Sequence, residues 1–275
     1  MSQTEKRITF GDREFILVGT AHVSQESIDQ VISAIGNENP DCVAIELDNE
    51  RLASMKNPDS WKNLDIVKVL KEKKGFVLMA NLVLSSFQKR MGADVGVKPG
   101  EEMKAAIKAA EERGIPSVMV DRPIQTTLRR AWAMNSLWGK CKLLAALLSS
   151  AFETEGISKE EIENLKNTNE MDSMMNELSH YLPAVKKVLI DERDQYLASH
   201  IWEARGNKVL AVLGAGHLPG VEKHMAKLAS GQVSTDTSEI SQVPPPGIGS
   251  KIAGWIFPAV IVALIAAGFF TGGAV

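Results

Sequence analysis

Phe15-Ile-Leu-Val-Gly19-Thr20-Ala-His22 is an apolar run that closes on a glycine and, three positions later, a histidine. The pattern returns late in the chain as Leu210-Ala-Val-Leu-Gly214-Ala-Gly-His217. Two more short apolar runs lie between them, Cys42-Val-Ala-Ile-Glu46-Leu-Asp48 and Ile115-Pro-Ser-Val-Met-Val-Asp121-Arg122, and both also end on ionisable residues. Runs of this length, bounded by turn formers, read as buried strands. They alternate with helix-length segments, so the fold class is α/β.

Ahead of the first run, Ile8 to Phe10 and the Gly11-Asp12 turn predict a hairpin with Glu14 to Gly19, which makes the central sheet mixed and largely parallel. Flanking helices are expected over 24–35, where Ser24 is a candidate N-cap and Ile28, Val31, Ile32 and Ile35 recur at helical spacing, over 101–113 and over 219–228. Residues 51–91 read as mostly helical. Further helices are expected over 126–150, 159–181 and 183–205. The stretch from 124 to 206 is too long for one crossover and predicts a helical layer over the sheet.

The chain has 275 residues, 44% of them hydrophobic, enough for a sizeable core. A net charge of -3 without a basic stripe excludes a non-specific nucleic-acid binder. Cys42 and Cys141 lie outside any CxxC spacing and read as packing residues. Residues 229–250, with Pro244-Pro-Pro-Gly247, read as a flexible linker after a domain spanning 1–228. From Ile252 to Val275 there is no charged residue. A bilayer needs about 20 apolar residues, and Lys251 and Trp255 suit its edge. Residues 251–275 are therefore expected to form a C-terminal transmembrane helix, the first span of a longer protein. The polar start, Met1 to Arg7, and the unpaired cysteines place the preceding domain on the cytoplasmic side. A homodimer is left open.

Ligands of open α/β sheets bind beyond the carboxyl ends of the strands. If the four runs are parallel, His22, Glu46, Asp121 and His217 converge on one crevice. Two imidazoles with one or two carboxylates are a ligand set for a divalent metal acting as a Lewis acid or activating water. Glycine at a strand end permits positive φ and lets a ligand approach the backbone. Asp191-Glu-Arg-Asp194 is either a solvated helix face or a cluster with one or two members turned inward. Arg122, Arg129 and Arg130 follow the third run and could pair with a site carboxylate or an anionic group. Glu101 is either a helix-start charge or a site residue. There is no Gly-x-Ser-x-Gly elbow, P-loop or His-Glu-x-x-His helix.

Taken in order, several blocks resemble the TraB/PrgY pheromone-shutdown family. They are Gly19-Thr-Ala-His22-Val-Ser24, Glu46-Leu-Asp48, Pro99-Gly100-Glu101 with Met103, Asp121-Arg122 with Thr127-Leu-Arg129, Glu192-Arg193-Asp194 and Gly214-Ala-Gly-His217. The family is similar to the TIKI proteins, membrane-tethered metal-dependent proteases of Wnt signals, and more distantly to erythromycin esterase-like and ChaN-like folds. The resemblance implies a site core of His22, Glu46 and His217, with Arg129, Glu192 and Arg193 beside it. It also implies a role in lowering the activity of a secreted peptide signal.

The expectation is a membrane-tethered, metal-dependent hydrolase of peptidase type. His22, Glu46 and His217 would hold manganese, cobalt or zinc, with Glu46 as ligand or general base and Glu192 as the second candidate base. Arg129 and Arg193 would fix substrate or stabilise developing charge, and Glu101, Asp121 and Arg122 would contact substrate. The alternative is a non-catalytic protein that captures a peptide signal at the membrane.

Overall fold

The computed structural model describes residues 5–20, 25–56, 80, 100–152, 177 and 179–245 of the chain. Among these, five strands form one sheet: β1 (Glu5–Phe10), β2 (Arg13–Thr20), β3 (Cys42–Ile45), β4 (Ser117–Met119) and β5 (Lys208–Gly214), in the order β1-β2-β5-β3-β4. β1 pairs antiparallel with β2 across a turn at Gly11, whose φ is 57°. The other pairings, β2 with β5, β5 with β3 and β3 with β4, are parallel. The sheet is thus mixed and mostly parallel.

The helices are α1 (Gln25–Glu38), α2 (Asn49–Lys56), α3 (Glu101–Glu111), α4 (Ile124–Met134), α5 (Leu137–Phe152), α6 (Pro183–Lys186), α7 (Glu192–Glu203), α8 (Leu218–Ala229) and α9 (Ser238–Ser241). Side chains alternate across a strand, and here both faces are covered. Phe15, Leu17, Val209, Ala211 and Leu213 pack under α7 and α8, against Leu197, Ile201, Val221 and Met225. Ile16, Val18, Leu210 and Val212 pack under α1 and α3, against Val31, Ile35, Met103 and Ala106. Burial on both faces explains why β2, β3 and β5 read as continuous apolar runs and not as alternating ones. A separate cluster of Leu128, Leu143, Leu144, Leu182 and Val185 joins α4, α5 and α6 into a helical layer.

Three details depart from the sequence reading. The helix expected over 126–150 is two, because Asn135 turns extended (φ -77°, ψ 139°) while its Nδ2 donates to the Ala131 carbonyl at 2.6 Å. The helix expected over 183–205 contains a π-helical turn, Lys187–Asp191, between α6 and α7. The segment read as a flexible linker is docked over its described part. Ile240 of α9 is buried, and the carbonyls of Glu239, Ile240 and Gln242 accept bonds from Arg130, Arg122 and Arg130 respectively. Polar composition did not reveal that buried arginines need those carbonyls. Among the described residues no helix is long and apolar enough to cross a membrane. Residues 251–275, read as the transmembrane segment, lie outside them, as do His22, Ser24 and the helix expected over 159–181 except residues 177 and 179–181.

Candidate functional site

The parallel register brings the carboxyl ends of the strands to one edge. Thr20 stands opposite Gly214, the Glu46 amide bonds to the Val212 carbonyl at 3.0 Å, and the Asp121 amide bonds to the Leu47 carbonyl at 3.3 Å. Glu46, Asp121 and His217 therefore leave three neighbouring strands at the same level. Beyond β5 a single 3₁₀ turn, Ala215–His217, leads into α8, so the histidine is held between strand and helix.

The fourth contributor is the start of α7. Its first three residues all face protein, because this turn lies between α4, the strand ends and α8. Glu192 turns to α4, Asp194 to α8 and Arg193 to the strand ends between them. Only Asp191, in the π turn, stays outside, paired with Lys186 at 2.5 Å. π turns recur beside functional sites. Here the turn immediately precedes the residues that build the cluster.

Arg193 is the hub. Its Nε and Nη2 donate to the two carboxylate oxygens of Asp121 at 3.1 and 2.7 Å, and Nη2 also donates to Glu46 Oε1 at 2.6 Å. Its Nη1 lies 3.0 Å from His217 Nε2. Burial by itself would lower the Arg193 pKa, but Asp121 and Glu46 outweigh it and raise it further above its ordinary value. Glu46 Oε2 accepts the Gly214 main-chain N–H at 2.6 Å. His217 Nδ1 lies 2.6 Å from Asp194 Oδ1, and Nε2 lies 3.5 Å from Glu46 Oε1. Since Arg193 can only donate, Nε2 accepts, and the proton sits on Nδ1, donated to Asp194. Burial pushes the Asp194 carboxyl above its ordinary pKa, against the opposing pull of His217.

Neither Gly19 nor Gly214 has a positive φ. The need for glycine at position 19 is steric. A Cβ there would come within 2.5 Å of Leu218 Cδ1 and 3.2 Å of the Ala215 Cα. A side chain at that point would require Leu218 to move and the turn that carries His217 to give by a few tenths of an ångström.

Beside this cluster is a second one. Arg122 is 1% exposed. Its Nε donates to Thr127 Oγ1 (2.9 Å), its Nη1 to Glu192 Oε2 (2.8 Å) and the Ile240 carbonyl (2.7 Å), and its Nη2 to the Val188 carbonyl (2.9 Å). Arg130 grips Glu192 with two donors, at 2.9 and 2.8 Å. Burial would raise the Glu192 pKa, but the bonds from Arg130 and Arg122 bring it below the ordinary carboxylate value. Glu192, expected as a second base, is placed between Arg130 and Arg122, and Arg122, expected to touch substrate, bonds to both α7 and α9. Arg129 is half-buried, while its neighbour Arg130 is the one that reaches Glu192. Glu101 begins α3 and pairs with Lys104 at 2.8 Å.

Two residues of these clusters, Asp194 and Arg130, are named by the sequence only among their neighbours, Asp194 within the charged run 191–194 and Arg130 with Arg122 and Arg129 as an arginine that could pair with a site carboxylate. Asp194 lies in helical phase with buried Leu197, Ala198 and Ile201, and Arg130 with Thr127 and Ala131. That phase was the available signal. Asp48 caps α2, accepting the Glu50 and Arg51 amides at 2.8 and 2.9 Å. Among the described residues no group of three His, Cys, Asp or Glu is placed to hold a metal ion, and His22 is not among them.

The family model for TraB/PrgY/gumN matches residues 6–235. The chain belongs to the TraB/PrgY/gumN family. It is 35% identical over 233 residues to an uncharacterised protein of Methanocaldococcus jannaschii, a match covering 84% of this chain and 57% of that protein. It is also similar to TraB domain-containing proteins of Bos taurus (28% identical, 96% of this chain and 74% of that protein) and Homo sapiens (29%, 88% and 69%). The chain thus spans little more than half the length of its archaeal relative. The matched TraB/PrgY/gumN region contains every residue of both clusters except those of α9 and Gln242.

Proposed function

We propose that this TraB-family domain is a metal-dependent hydrolase of peptidase type, and that Glu46 and His217, with His22 as a third donor, hold its divalent ion. The observation that carries the reading is the oriented pair at the strand ends. His217 Nε2 and Glu46 Oε1 lie 3.5 Å apart, and Asp194 fixes the imidazole from behind. Two donors bound to one tetrahedral ion at about 2.0–2.2 Å are roughly 3.3–3.6 Å apart. A carboxylate on the far nitrogen is the usual support of a metal-binding histidine. The donor chemistry therefore fits manganese, cobalt or zinc.

Charge argues the same way. Three carboxylates, Glu46, Asp121 and Asp194, face one guanidinium, that of Arg193, and a buried excess of negative charge favours a cation. A bound divalent ion would supply Lewis acidity towards a carbonyl and activate water. Asp194 would fix the imidazole tautomer and orientation that direct the Nε2 lone pair at the ion. Asp121 would hold Arg193 at the centre, where its donors could receive the oxygen of a peptide group. The stretch 251–275 is proposed to tether the domain to a membrane, with the domain on the cytoplasmic side.

One observation favours capture of a peptide without cleavage. Arg193 already bonds to both donors, as a cation-free carboxylate pocket would require. The two readings separate when the full chain is incubated with a mixed peptide pool and the products are followed by mass spectrometry. Cleavage that stops with chelator and in a His22→Ala/His217→Ala variant is the expected result. Peptides depleted from solution but recovered intact would establish capture instead.

A further inference from the structure

We propose that Arg193 is the resident counter-ion of the donor pair, hinged on Asp121, and that a divalent cation must displace its guanidinium from His217 to bind. The inference rests on the metal reading above and concerns what that reading leaves out, namely the positive group already between the donors. With Nδ1–H directed at Asp194, His217 has one lone pair, on Nε2. Arg193 Nη1 is on it at 3.0 Å, while Nη2 is on Glu46 Oε1 at 2.6 Å. One lone pair cannot serve an N–H donor and a metal ion together. Cation binding and the Arg193–His217 bond therefore exclude each other.

The anchoring of Arg193 is unequal. Asp121 accepts from Nε and Nη2, using both carboxylate oxygens, so the root of the guanidinium is held in a two-point ion pair. The tip, Nη1, touches only His217 among the described residues. A tilt about the Asp121 contact would free Nε2 without leaving the guanidinium unpaired. In the cation-free protein the same group offsets the carboxylates that would otherwise face one another. After displacement it would remain beside Glu46, close enough to meet an anionic or carbonyl oxygen of substrate. Arg193 thus sets the affinity of the centre as a competitor.

The test is calorimetric titration of zinc and of manganese into the full chain and into Arg193→Gln, with circular dichroism to establish that both are folded. The expected result is one equivalent bound at least tenfold more tightly by Arg193→Gln, including the case where the wild type binds too weakly to measure. Equal or weaker binding by the variant, with the wild type binding one equivalent, overturns the competitor role and leaves the metal reading standing. No binding by either overturns both. Should Arg193→Gln not fold, zinc titrated into the ¹⁵N-labelled wild-type chain decides the matter. Arg193 side-chain N–H signals that shift and lose exchange protection in step with zinc support displacement, and signals unchanged at saturation contradict it.

Discussion

Two arginine–carboxylate clusters meet at the start of α7, built from the same residue types yet opposite in balance. In one, Arg122 and Arg130 share a single acid, Glu192, and other donors go to the Thr127 hydroxyl and to main-chain carbonyls of α9, Gln242 and the π turn. In the other, one guanidinium, Arg193, is shared by Glu46 and Asp121, and Asp194 adds a third carboxylate through His217. The first has an excess of positive charge offset by carbonyl dipoles, and its parts are closed against one another. The second has an excess of negative charge and its hub is 17% exposed. A buried ion network that closes on itself serves the fold. One that is left unbalanced at the carboxyl edge of a parallel sheet is suited to receive a ligand.

The sharpest way to break this contrast is to remove the acid each cluster depends on. Glu192→Ala leaves two buried guanidinium groups without a counter-ion, and should lower unfolding free energy by about 3–5 kcal/mol, measured as the denaturant midpoint. Ile240→Ala, which loosens α9 from the same cluster, should cost about 2 kcal/mol, the low end for truncating a buried isoleucine. It should also expose the α9 segment to limited proteolysis. Glu46→Gln removes one of the surplus negative charges but sets an amide N–H against the Gly214 N–H or Arg193 Nη2, so it should cost about 1–3 kcal/mol, less than Glu192→Ala. A loss as large as that of Glu192→Ala would erase the distinction between the clusters.

A pH series separates the clusters more finely. For Glu192, burial pushes the carboxyl pKa up, but Arg130 and Arg122 outweigh it, so the folded value lies below the unfolded one. The stabilisation is complete above the unfolded value of about 4.3 and is lost as pH falls through the lower folded value. Glu192→Gln should therefore flatten the acid limb of stability against pH. Asp194 runs the other way. Burial raises its folded pKa, so its carboxyl favours the folded state more as pH falls. Asp194→Asn should leave the acid limb at least as steep.

Much of this was legible in the chain. The apolar runs of β2, β3 and β5 announce strands buried on both faces, and their parallel pairing follows from the helices between them. Once the strands are parallel, Glu46, Asp121 and His217 must share an edge. What the sequence concealed was orientation on helices. Glu192, Arg193 and Asp194 are consecutive, and helical periodicity allows one or two of them to face inward. All three do, because the turn is enclosed on three sides by α4, the strand ends and α8. Arg129 and Arg130 pose the same problem, and the buried phase of Thr127 and Ala131 selects Arg130. Composition reads 229–250 as a linker and does not show the docking of α9, for a different reason. A polar segment can be held through main-chain carbonyls that buried arginines require, with a single buried side chain, Ile240, beside them.

Metal content is the most direct test of the central claim, that the unbalanced cluster is a cation site. Elemental analysis of the purified full chain, supplied with manganese, cobalt and zinc and then exhaustively dialysed, should find one equivalent of divalent metal, lost in His22→Ala/His217→Ala. No metal in the wild type, or the same amount in the double variant, would contradict it.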